Sequence, residues 1–199
     1  MTKLKKKYLF LIIIVIIGFI MGILFSNILN AEDTKLVNTK ITQYFNNLAK
    51  DVPINYLDNL FSSIKNNILY LVTIWILGLS IIGLVLNNFI LFFKSFIIGF
   101  SVGSIINIYF YSGIVLSFFY IFPAFLINLF ILTIMTYYAN DFSLKLFNTI
   151  FRKENIKFNL LIKKYIKILG IFTIILLASS IIETFINPFF LKLFTFLIK

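Results

Sequence analysis

The sequence predicts an all-α integral membrane protein: one helix bundle of about five transmembrane spans, with the N-terminus inside and the C-terminus outside. Three observations carry that reading. Of the 199 residues, 61% are hydrophobic and only 13% charged, against about 45–50% and about 25% in soluble domains, so there is too little polar surface to face water. The apolar residues come in runs of roughly twenty, enough to cross a hydrocarbon core of about 30 Å. The net charge of +11 is concentrated in two stretches, as orientation-setting cations are. In a soluble chain that charge would suggest nucleic acid. Here it flanks spans, so the expected partner is the lipid bilayer and not nucleic acid.

The first span covers about 8–29, behind Lys3, Lys5, Lys6 and Lys7. Its apolar run outlasts the roughly 7–15 residues of a signal-peptide core, so it reads as a retained anchor. Gly18, Gly22 and Ser26 recur every four residues and line one helix face. Small residues at that spacing let a second helix approach closely. Residues 30–67 form the long polar connection, in which Lys35, Lys40, Lys50 and Lys65 balance Glu32, Asp33, Asp51 and Asp58. Within it Ile54, Leu57, Phe61, Ile64 and Ile68 make an apolar helix face after Pro53. That predicts a helix on the membrane surface or capping the bundle, and a surface on which an extracytoplasmic partner could dock.

The second span, about 68–86, holds the single tryptophan, Trp75. Asn87-Asn88 marks an expected break, and the third span, about 89–111, is apolar except for Lys94, which is expected to snorkel to the cytoplasmic surface. Ser95, Gly99 and Gly103 repeat the small-residue ladder, with Ser104 and Asn107 nearby. The fourth span, about 114–138, contains Pro123, a helix breaker, and Asn128, which should find an interhelical partner. Residues 139–167 carry seven cations against two anions. The last span, about 168–186, ends at Asn187-Pro188. Five spans place both basic segments, the N-terminus and 139–167, in the cytoplasm and the neutral 30–67 segment outside, as the positive-inside rule requires.

Chemistry is harder to place. The chain has no cysteine and no histidine, which removes thiolate nucleophiles, the commonest metal ligand and the usual proton shuttle. Glu183 is the one acid within a span, and no paired carboxylates or phosphate-binding loop accompany it. No enzyme, metal site or cofactor is expected. A lone carboxylate in lipid must be paired, neutral or near the surface. Glu183 is therefore either a structural contact, a partner contact or part of an ion pathway.

Trp75-Ile-Leu-Gly-Leu-Ser-Ile-Ile-Gly83, followed by Lys94-Ser-Phe-Ile-Ile-Gly-Phe-Ser-Val-Gly103, resembles the stage II sporulation protein M family. Pro123 and the stretch from Ile182-Glu183 to Asn187-Pro188 extend the resemblance over the whole chain as one domain, residues 1–199. Gly78 and Gly83 join the close-packing set. Relatives outside the sporulation branch carry His-Gly after the span-four proline and a Glu soon after. Here Ala124, Phe125 and Asn128 stand at those places, which puts an ionisable-site chemistry in doubt. The resemblance implies a non-enzymatic scaffold in the septal and engulfing mother-cell membrane during sporulation. It would anchor two peptidoglycan-degrading partners, the stage II sporulation proteins D and P. The alternative is a small transporter or permease subunit, with Asn107, Asn128 and Glu183 lining a pathway. The sequence leaves open a homo-oligomer, and whether the two small-residue ladders meet within one chain or between two.

Overall fold

In a computed structural model, residues 3–50, 53, 55–121, 124–153 and 158–194 are described, and among them every regular element is helical. Among the described residues, five helices are long and apolar enough to cross a membrane. Helix α1 is Lys3–Ser26, α2 Ala31–Ala49, α3 Tyr56–Gly78, α4 Gly83–Ile121, α5 Ala124–Phe151 and α6 Phe158–Ile181. A π-helical turn, Ile182–Ile186, continues α6 into α7, Asn187–Leu193.

The close approach of α1 and α4 follows from glycine. A Cβ on Gly18 would stand 2.6 Å from the Phe92 carbonyl oxygen; on Gly22 it would strike the Phe96 carbonyl, and on Gly99 the Phe19 carbonyl. A Cβ on Gly103 would meet the Ser26 hydroxyl. The two ladders therefore pack against each other within one chain. The Ser95 hydroxyl donates to the Val15 carbonyl at 2.6 Å across the same interface. At one end of the bundle Lys7 and Lys145 both pair with Asp141, at 3.4 and 2.7 Å, so the two basic segments share that end.

Helix α2 lies inside the stretch read as a polar connection. Asn30 caps it by accepting from the Asp33 amide at 2.8 Å, and Glu32 and Asp33 sit in its first turn, where a carboxylate suits the helix dipole. Its Phe45 and Leu48 pack with Ile105, Leu116 and Leu191. The end of α4 that holds Ile105 is the one farther from Lys7.

Helix α3 corrects a second expectation. The helix foreseen after Pro53 and the second span are one continuous helix, and its apolar face is turned outward. Leu57 and Phe61 are exposed, while Ser63 and Asn67 are buried. In lipid an apolar side chain gains little by facing another helix, whereas a polar one must find a partner. No break occurs at Asn87-Asn88. The turn comes earlier, at Leu79–Ile82, and α4 runs through both asparagines.

Helix α4 reverses at Phe110, whose φ of 50° and ψ of −122° leave the helical region. Beyond it, Gly113 comes so close to Ile105 and Ile106 that a Cβ would lie 2.7 Å from each. The arm 111–121 thus runs back along the first, and α5 resumes at Ala124. Pro123 lies outside the described residues. Much of the basic 139–167 connection is helical as well, since α5 extends to Phe151 and α6 begins at Phe158. Gly78 admits Tyr165 and Ala139 between α3, α5 and α6, and Gly83 fits against the Leu77 carbonyl at the α3–α4 turn.

Candidate functional site

The site begins with Pro188. It has no N–H to offer the carbonyl of Thr184, and its ring crowds that turn. The helix answers by widening: the Asn187 amide reaches back five residues to the Ile182 carbonyl, which is the π-helical bond. This segment carries Glu183 and Asn187, four residues apart, on the side facing α3, α4 and α5.

One oxygen of Glu183 gathers three helices. Its Oε2 accepts from Ser63 Oγ at 2.8 Å, Asn67 Nδ2 at 3.1 Å and Asn128 Nδ2 at 3.4 Å. Asn67 Nδ2 also donates to Ser180 Oγ at 3.0 Å. All three groups on Glu183 donate, the complement a carboxylate oxygen asks for. Asn128, expected to find an interhelical partner, finds Glu183.

The same stretch repairs the gap between α4 and α5. Asn187 Nδ2 donates to the Tyr120 carbonyl at 3.2 Å, and Ser179 Oγ donates to the Ala124 carbonyl at 3.2 Å. The Tyr120 carbonyl, in the last turn of α4, has no partner within its own helix and must be satisfied inside a bilayer, whereas the Ser179 bond to Ala124 ties α6 to the start of α5. Here α6 and α7 supply the donors.

A cleft of about 520 Å³ opens beside Glu183. Helix α2 contributes Tyr44 and Phe45, α3 Ser63, α4 Ser101, Ser104 and Tyr120, and α7 Asn187 to its walls. Among the described residues no group of three acidic, histidine or cysteine side chains could hold a metal ion.

The other expected polar residues fall elsewhere. Asn107 donates to Ser26 Oγ at 3.2 Å, tying α4 to the end of α1 and not joining Asn128 and Glu183. Trp75 stacks on Tyr165 with ring centres 5.6 Å apart, and the Tyr165 hydroxyl donates to the Trp75 carbonyl at 3.0 Å. Lys94 is not at a helix end. It lies eleven residues into α4, roughly 16 Å along the axis, with its ammonium 4.4 Å from the centre of the Tyr70 ring. An aromatic face takes over part of the hydration the ammonium gives up. Sequence reading missed Ser63, Asn67, Ser179 and Ser180. The signal for the first two was their four-residue spacing opposite Leu57 and Phe61 on one helix.

The model of the stage II sporulation protein M family matches residues 11–188, from the first turns of α1 to the proline that shapes the Glu183 segment. The chain belongs to that family. Membership makes it a sporulation-related membrane protein, and the matched stretch takes in every residue of the Glu183 cluster. No curated protein and no solved structure matches the chain.

Proposed function

We propose that this member of the stage II sporulation protein M family is a non-enzymatic scaffold of the engulfment complex, holding peptidoglycan-degrading partners at the septal and engulfing mother-cell membrane. The observation that carries the reading is the family match over residues 11–188. The use made of the interior polar groups agrees with it: Ser63, Asn67, Asn128, Ser179 and Asn187 bind helices to one another. On this reading α2 and the start of α3 face the wall side, where the partners work. Tagged chain purified from sporulating cells is expected to retain the stage II sporulation proteins D and P. Recovery of neither would remove the proposal's support.

The wall-side placement has its own check, which the absence of native cysteine makes clean. Glu32→Cys on α2 is expected to react with an impermeant maleimide in intact cells. Arg152→Cys, beyond α5, is expected to react only after permeabilisation. The reverse pattern would invert the topology and place α2 in the cytoplasm.

A transporter subunit is the second reading, favoured by the meeting of Asn128 with Glu183 beside a cleft. Asn107 stands apart from that pair. Solute flux into vesicles containing the chain alone would favour this reading over the scaffold.

A further inference from the structure

The cleft beside Glu183 carries chemistry that helix packing does not use. Asn187 and Ser104 both line it, and each is only 4% exposed. Asn187 Oδ1 and Ser104 Oγ have no hydrogen-bond partner among the described residues. The orientation of Asn187 is fixed, because its Nδ2 donates to the Tyr120 carbonyl, so the atom left over is an acceptor. The three hydrogen bonds to Glu183 all fall on Oε2, and Glu183 lines the same cleft. Three residues with oxygens able to accept therefore border one cavity, and one of them is a carboxylate.

The remaining walls narrow the ligand further. Tyr44, Phe45, Tyr120 and Phe125 border the cleft together with Lys40, which is exposed, and the faces of aromatic rings attract organic cations. The volume, about 520 Å³, is in the range of small-molecule sites and far exceeds a bare metal ion. An ammonium head has three N–H donors and no acceptor, which matches Glu183, Asn187 and Ser104 one for one. We infer that this cleft binds a primary ammonium group carried on a short aliphatic chain. The ammonium sits among the three acceptors and the chain lies along the aromatic wall. Such a head is offered both by a free alkylamine and by the headgroup of an aminophospholipid. The inference is independent of the scaffold reading.

The test uses the full chain in phosphatidylcholine nanodiscs, titrated with n-butylammonium and, in parallel, with n-butanol. Butylammonium is expected to raise the unfolding temperature saturably, and butanol is not. Glu183→Gln is expected to weaken binding at least about thirtyfold, as loss of a buried charge partner does. Ser104→Ala is expected to weaken it about three- to tenfold while leaving the unliganded unfolding temperature unchanged, so a misfolded Glu183 variant would not leave the question open. Equal stabilisation by butanol, or wild-type affinity in Ser104→Ala, would overturn the assignment. Replacing part of the phosphatidylcholine by phosphatidylethanolamine separates the two sources. Competition with butylammonium assigns the site to the lipid headgroup, and unchanged affinity assigns it to a soluble amine.

Discussion

Gly99→Leu is expected to detach α1 from the rest of the bundle. The Cβ alone would land on the Phe19 carbonyl, a backbone atom that cannot rotate aside, so the helices must separate to admit it. Separation also pulls Gly18 and Gly22 off the Phe92 and Phe96 carbonyls and stretches the 2.6 Å hydrogen bond from Ser95 to Val15. Between helices in lipid, close packing and hydrogen bonds are the main attractions, because the hydrocarbon solvates an exposed Leu as well as a neighbour does. The loss should reach about 3 kcal/mol, the upper part of the range for overpacked cores, read by unfolding the detergent-solubilised protein with a denaturing detergent. Gly170→Leu is the control, since among the described residues a Cβ there meets nothing within 4 Å beyond its own stretch of helix. If the two variants unfold alike, the close approach of α1 and α4 is wrong.

Which parts of this architecture were legible in the sequence follows from what lipid does to a pattern. Span number is written in run length, because crossing about 30 Å of hydrocarbon demands it of any helix. Helix orientation is not, because the rule that apolar faces point inward comes from water. On α3 the apolar face of Leu57 and Phe61 was read as lying on the membrane surface or capping the bundle, and those two residues are exposed, so they cap nothing among the described residues. Small residues kept their meaning: the four-residue ladders located both sides of the α1–α4 interface. Helix α2 was legible in principle. Asn30 followed by Glu32 and Asp33 is a capping pattern, but the balanced charges of the segment read equally well as a polar connection.

Serine was the least readable signal at the candidate site. A serine or threonine in a membrane helix can satisfy itself on its own preceding turn, as Ser101 does on Ile97 and Thr73 on Leu69. Only its four-residue spacing from Asn67, opposite Leu57 and Phe61, sets Ser63 apart from those, and it reaches Glu183 across 120 positions. Glu183 itself stood out because a carboxylate has no such local escape. The asparagines were intermediate. Asn128 announced a partner without naming it, and Asn107, equally conspicuous, belongs to a different interface.

The sharpest consequence concerns Glu183→Leu, which is expected to lower stability by about 3–5 kcal/mol, as removal of one member of a buried polar network does. The acceptor at the centre of the cluster disappears, and Ser63, Asn67 and Asn128 keep donors that had shared it. Ser180 can absorb one hydrogen of Asn67, as it already does at 3.0 Å. Ser63 and Asn128 have no comparable substitute among the described residues, so α3 and α5 lose their shared tie to α6. Glu183→Gln should behave differently: its amide oxygen still accepts, so the protein stays folded in detergent with a loss of about 1–2 kcal/mol. A double-mutant cycle with Asn67→Ala tests the geometry. Because Asn67 Nδ2 and Glu183 Oε2 share one network at 3.1 Å, the paired loss must fall short of the sum by at least about 0.5 kcal/mol. Strict additivity, or a Glu183→Leu protein that unfolds like the parent, would mean that the carboxylate faces outward and does not hold the three helices together.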